Sequence, residues 1–466
     1  MSGSLGDSDV RRLGASGREN QQTGQQYCTA QTVNITSASC SFLVYSEPSS
    51  KALSSTSRFT RKAALHLVWR DIQIWPTGSG NTDPTRPVLE AVRFFFGRKE
   101  LCHHIRSLRL SCEDIGLREK PQSRLNKEDM RDLTNIADAR GFPQTFILQW
   151  GSEAVVVLLL DCMPRLKKLK IPGYQASSSL LSLSLRNIVS PPSCFLTIQH
   201  LTFTPYTSIQ TAKAWLLLSS LKTFVLEAID GEENEDEEEN TTVDMVKLEG
   251  SKDDAQVLVH PAGVTHITLK ECFLAGTSLR SFLCSTDILG YFECCWTRDS
   301  VHRYSPIGVA QIWKGLGHQM DALVSLKITC EDYIADRMDD DPAGIEASLG
   351  SLSSFTKLED LVIPVRFLLG RSPDDPPISA RSSIFSLLPP SLRRFELFID
   401  IDWRLPVFLS AVSLSPSNWR GDALLKCPAL HSFTLWVTEY DGDFNFTEFR
   451  SSGIIVRGRN RRVLLP

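Results

Sequence analysis

The sequence contains no CxxC pair, and no apolar run approaches the roughly 18 residues needed to cross a bilayer. Its strongest apolar stretch, Val155–Leu160, is far shorter than that. The opening residues, MSGSLGDSDVRRLGASGRENQQTGQQ, lack the apolar core of a secretion signal, so the chain is expected to be neither exported nor membrane-embedded. Catalytic signatures are missing too: there is no GxSxG elbow, no HExxH, no GxxxxGK[ST] phosphate loop and no GxGxxG opening a helix. Charge of one sign is also lacking. With 50 basic and 54 acidic residues the net charge is -4, which gives no global drive towards nucleic acid or an anionic membrane. Neither is an expected partner.

The 12 cysteines that are present lie scattered and mostly within apolar runs, which fits small core hydrophobes in a reducing compartment, cytoplasmic or nuclear. The adjacent pair Cys294 and Cys295 faces opposite sides if its segment is a strand. His103 and His104 are adjacent and cannot share a metal, and His260 and His266 lack nearby ligands, so no metal, cofactor or catalytic residue is expected. Asn34, Asn240 and Asn445 open Asn-x-Thr sequons, which carry no weight without secretion. Gly78–Gly80 reads as a turn before Pro84 and Pro87.

Residues 1–50 are rich in Ser, Thr, Gln and Gly and are expected to be disordered, because they offer little apolar surface to offset chain entropy. From Lys51 the character changes. Leu53, Phe59, Ala63, Ala64, Leu67 and Val68 follow a helical spacing, and Trp69, Ile72 and Ile74 then alternate as a strand does.

Beyond this point one spacing recurs: apolar, two free positions, apolar, one free position, apolar. It appears at Ile105/Leu108/Leu110, Leu166/Leu169/Ile171, Leu180/Leu183/Leu185, Ile198/Leu201/Phe203, Leu221/Phe224/Leu226 and Val264/Ile267/Leu269. Five further copies are Leu289/Phe292/Cys294, Leu323/Leu326/Ile328, Leu358/Leu361/Ile363, Leu392/Phe395/Leu397 and Leu430/Phe433/Leu435. The last two apolar positions share one face of a short strand, and the first fills the turn entering it. A unit of this kind buries its apolar face only by stacking on neighbours. Amphipathic helix candidates alternate with these segments at Glu153–Cys162, Ser208–Leu218, Ile307–Met320, Gly344–Leu352 and Ser382–Leu388. Pro164, Pro390 and Pro428 stand as stops between helix and strand. The pattern predicts an α/β array, an irregular solenoid with short parallel strands on its concave side and helices on its convex side.

The phrases MPRLKKLKI, LSSLKTFVL, PPSLRRFEL and CPALHSFTL resemble the repeats of fungal F-box and leucine-rich-repeat proteins. Cys272, in VTHITLKEC, falls where such repeats place Asn or Cys to bond the backbone after the strand. The stretch SSTSRFTRKAALHLVWRDIQI is similar to the second half of an F-box, with Trp69, Arg70, Asp71 and Ile72 matching its closing strand. Cys40–Ser50 departs from the Leu-Pro opening of that family. By resemblance, residues 51–80 form the F-box-like segment, with Leu53, Phe59, Leu67 and Trp69 as adaptor-docking residues. Residues 81–450 form the repeat array with an acidic insertion at 230–256, and 451–466 form a basic tail.

The implied role is non-catalytic: the substrate-recognition subunit of a cullin-type ubiquitin ligase, whose partners are the ligase adaptor and a client protein. A stand-alone scaffold is the alternative, and a hydrolase hidden in irregular loops the distant one. Three charged segments allow two readings each. The run DGEENEDEEE at 230–239 reads as a solvated loop or as a lure for a basic partner. Arg165–Lys170 reads as a solvent-facing corner or a nuclear signal, and Arg457–Arg462 as a plain basic tail or a site for nucleic acid or an import receptor. The aromatics Trp436, Trp403, Phe398 and Tyr333 read as core or edge fillers, a minority of which reach the strand face.

Overall fold

A computed structural model describes residues 32–45, 69–74, 85–110, 126–142, 154–172, 193–204, 209–227, 263–296, 309–330, 349–370, 383–399, 405–437 and 452–458, apart from positions 38–39, 217, 273–275, 413 and 415–418. Strands β1 (Thr32–Ser37) and β2 (Cys40–Tyr45) form a separate antiparallel pair. The other strands are β3 (Asp71–Ile74), β4 (Ser107–Leu110), β5 (Lys168–Pro172), β6 (His200–Thr204), β7 (Thr223–Glu227) and β8 (His266–Lys270). They continue as β9 (Tyr291–Trp296), β10 (Ser325–Cys330), β11 (Asp360–Pro364), β12 (Arg394–Ile399), β13 (Ser432–Val437) and β14 (Ile455–Gly458). These twelve make one parallel sheet in which each strand pairs with its neighbours in the chain. The protein is therefore of mixed α/β class.

The helices are α1 (Thr85–Phe96), α2 (Lys99–Cys102), α3 (Lys127–Ala139), α4 (154–161), α5 (Ile209–Trp215) and α6 (Gly276–Cys284). They are followed by α7 (Val309–Leu316), α8 (Val365–Leu369), α9 (Leu405–Ala411) and α10 (Trp419–Lys426). Local chemistry sets their ends. Asn126 caps α3 by accepting the Asp129 amide at 2.8 Å, and Glu128 and Asp129 sit in the first turn, where the dipole favours carboxylates. At its other end Gly141 takes φ 79°, which lets Phe142 donate to Ala137 and Gly141 to Asp138, closing the orphan carbonyls.

Ten of the eleven triplets supply strands of the sheet, and their residues are buried except Leu430, which is half-buried. Their register is continuous: Leu326 pairs with Leu361, Leu361 with Phe395, and Phe395 with Phe433. Phe395 and Phe433 stack face to face at 5.1 Å. On the same buried side, Trp215 of α5 meets Phe203 and Phe282 of α6 meets Phe224. Fully burying one such side chain stabilises by about 1.5–3 kcal/mol, so this single apolar layer holds the sheet to its helices.

The strand entries are fastened to one another. The carbonyl of Arg70 accepts from Arg106 (2.8 Å) and Ser107 (3.0 Å), that of Arg106 from Lys167 and Lys168, and so on to Arg393, which accepts from His431 and Ser432. Hydroxyls reinforce this. Thr197, Ser220 and Ser391, each just before its triplet, donate to the carbonyls of Leu166 (2.7 Å), Ile198 (2.7 Å) and Leu358 (2.9 Å) in the preceding unit.

Several expectations are corrected. Residues 1–50 include β1 and β2, because TVNITS and CSFLVY are locally rich in β-branched and aromatic residues that the average composition of the segment conceals. The Leu180/Leu183/Leu185 triplet lies outside the described residues. Residues 349–352 are not helical, and Ile384–Leu387 is a single 3-10 turn. The sheet also extends beyond residues 81–450 at both ends: β3 begins it within residues 51–80, and β14 lies within residues 451–466.

Candidate functional site

Most strands bury one face and leave the other accessible, although Val362 of β11 and Thr434 of β13 are buried on that second face. His266–Lys270 shows the rule: Ile267 and Leu269 are buried, His266 and Thr268 half-buried, Lys270 exposed. On the accessible face, registered side chains form rows that run across the sheet from Gln73 through Lys170, Thr268, Glu293 and Glu396 to Ile455. No group of three or more His, Cys, Asp or Glu side chains among the described residues is arranged to hold a metal.

At the C-terminal end of the sheet this face is aromatic. Phe398 of β12 stacks on Trp436 of β13 at 5.7 Å and 12°, the guanidinium of Arg457 lies 5.2 Å from the Trp436 ring, and the indole donates to Glu396 at 2.9 Å. In the middle, charges pair across strands: Lys170 with Glu227 at 2.6 Å, Lys327 with Glu293, and Arg394 with Asp360 at 3.0 Å. These pairs are partly solvated and set the pattern of the surface more than its stability. His266 stacks flat on Tyr291 at 4.0 Å and shares a 2.8 Å hydrogen bond with the Thr265 hydroxyl.

The N-terminal part of the strand-entry edge is basic. Arg70, Arg106 and Lys167 occupy successive rungs of the entry ladder, Lys222 follows two rungs later, and Arg165 and Lys168 flank Lys167. Burial, and then the neighbouring Arg165 and Arg70, lower the pKa of Arg106. The His200 imidazole is likewise pushed down by burial first, then by Lys168, His266 and Lys222, while burial pushes down His266.

The residues singled out in the sequence fall as follows. Trp69 is half-buried and packs on α1, with ring centroids 5.8 Å from Phe94 and 6.2 Å from Phe95; Leu53, Phe59 and Leu67 lie outside the described residues. So do the acidic run at 230–239, Gly78–Gly80, His260, Trp403 and Tyr333. Cys272 is buried, and its Sγ lies 3.3 Å from the carbonyls of both Leu226 and Lys270. Cys294 is buried and Cys295 half-buried, facing opposite sides of β9. Lys167 and Lys168 are exposed while Leu166 and Leu169 are buried, which is the solvent-facing corner. Arg457 is exposed on β14, so the first basic residue of the tail belongs to the sheet surface. The His266–Tyr291 stack and the Phe398–Trp436–Arg457 group were not anticipated as units, since their members lie on different strands. No described helix is long and apolar enough to cross a membrane. No protein-family model and no curated protein matches the chain.

Proposed function

We propose that the chain is a non-catalytic protein-interaction scaffold, an irregular leucine-rich-repeat-like solenoid whose accessible sheet face is the concave side. The observation that carries this reading is the one-sided burial. All-parallel sheets ordinarily have both faces covered, whereas here alternate residues of every strand from β4 to β8 remain accessible, in register across neighbouring strands. A broad surface of that kind, with rigid aromatic groups at one end, suits recognition of another protein. Within this reading the chain serves as the substrate-recognition subunit of a cullin-type ubiquitin ligase in the cytoplasm or nucleus, and residues 51–80 contact the adaptor.

One observation favours a stand-alone scaffold instead. The Trp69 ring is already engaged by Phe94 and Phe95, which leaves less of the F-box-like segment to offer a second protein. Co-purification of the folded chain with the ligase adaptor separates the two: capture supports the ligase subunit, and no binding by a folded chain supports the scaffold alone. Cross-linking and mass spectrometry in cells tests the scaffold itself. Partner cross-links should map to the accessible face or strand-entry edge. Cross-links confined to the helical side would refute the reading.

A further inference from the structure

We infer that the strand-entry edge of β3–β7 docks an acidic peptide segment of a protein partner, held by Arg70, Arg106, Arg165, Lys167, Lys168 and Lys222. The inference rests on the scaffold reading above and names the chemistry of its partner.

Three features of the edge point to an anionic chain. First, the cations are brought together by the fold: neighbouring strands lie about 4.8 Å apart, so Arg70, Arg106 and Lys167 line up on consecutive rungs and Lys222 lies two rungs further along. Second, they are poorly neutralised. Arg165, Lys167, Lys168 and Lys222 have no carboxylate in ion-pair range among the described residues, while Arg70 meets only Asp71, at 4.0 Å with both side chains more than half exposed. Elsewhere on the sheet, charges are matched across strands, as Arg393 is with Glu359 and Arg394 with Asp360. Third, the cations repel one another, and Arg106 is already depressed by its burial and by Arg165 and Arg70. An anion bound between them relieves that repulsion.

Geometry and charge favour a peptide over a nucleic acid. The edge is a narrow strip, about 19 Å from the Arg70 rung to the Lys222 rung at the usual strand spacing, which matches about six residues of extended chain. Beyond it charges are matched across strands, as Lys327 is with Glu293 and Arg394 with Asp360, and the whole chain is net negative at -4, so a long polyphosphate gains little past the end of the strip. Carboxylates spaced along an extended peptide need only the strip.

The test uses the full chain and a fluorescein-labelled twelve-residue peptide of alternating Glu and Ala, with a Gln-for-Glu peptide and twelve-residue oligothymidylate as comparisons, read by fluorescence anisotropy at low salt. The Glu peptide should bind and the Gln peptide should not, with affinity falling as salt rises. Lys167→Glu/Lys168→Glu/Lys222→Glu should weaken Glu-peptide binding at least tenfold. The matched reversal Lys314→Glu/Lys357→Glu/Lys426→Glu, at exposed lysines off this edge, should change it less than threefold. If the first variant fails to fold, Lys167→Gln/Lys222→Gln replaces it, with a threefold or greater loss expected. Equal loss from both sets of reversals, absence of Glu-peptide binding, or tighter binding of the oligothymidylate that the first variant abolishes would each overturn the proposal. Partner cross-links on the accessible face in the presence of any such result would leave the scaffold reading standing and remove the acidic-peptide edge alone.

Discussion

Replacing Gln319 by Leu isolates one polar contact that joins two units of the array. Gln319 follows α7 and is fully buried; its Oε1 accepts the Leu289 amide at 2.9 Å and its Nε2 donates to the Thr286 carbonyl at 2.7 Å. Both partners lie in the connection from α6 to β9, which the Thr286 hydroxyl also braces by donating to Leu283 at 2.8 Å. Leu fills a similar volume and satisfies neither backbone group. Each buried group left unpaired costs about 1–3 kcal/mol, and the added apolar burial offsets part of the sum, so the expected loss is about 2–4 kcal/mol. Urea denaturation gives the total, and amide exchange locates it: Leu289 should lose protection, while Gly290, which donates to Thr265 at 2.9 Å, should keep most of its own. A loss below about 1 kcal/mol, with Leu289 still protected, would refute the reasoning by showing that water or a backbone shift replaces the side chain.

Two further outcomes are expected. Alkylation of the native chain at pH 8 should label Cys284, which is exposed, ahead of Cys295, and should reach Cys102, Cys162, Cys194 and Cys427 only on unfolding. Burial pushes Cys102 up to about 12 and Cys162 and Cys427 up to about 11, and raises Cys194 as well, so these thiols stay protonated in the fold. Their contribution to stability is present below the ordinary value of 9.0 and is lost as pH rises towards the folded values; labelling of Cys162 in the native chain at pH 8 would contradict the burial. Deleting residues 231–240, which removes seven acids, should leave the thermal midpoint nearly unchanged, because β7 and β8 pair directly on either side of the insertion. A fall of more than about 5 °C would show that those acids hold basic groups of the array.

Much of the sheet could be read in the sequence because one-sided burial imposes a period of two, and the turn before each strand adds a third apolar residue at fixed spacing. Val264, Ile267 and Leu269 declare both the strand and its buried face without reference to any other part of the chain. The same logic explains the misses. Strand β14 has exposed Ile455 and half-buried Val456, with fully buried Ile454 just before it, and its Arg457 and Gly458 resemble a tail.

The candidate surface was less legible. Arg70, Arg106 and Lys167 are separated by 36 and 61 residues in the chain and become neighbours only when their turns bond to one another. Trp69 looked available as a docking residue until α1 packed Phe94 and Phe95 against it. Sequence by itself determined which residues face the core, because burial is a property of each short segment. Which surface charges and rings stand side by side was decided by tertiary stacking, because that depends on the rung each strand occupies and on loops of unequal length between them.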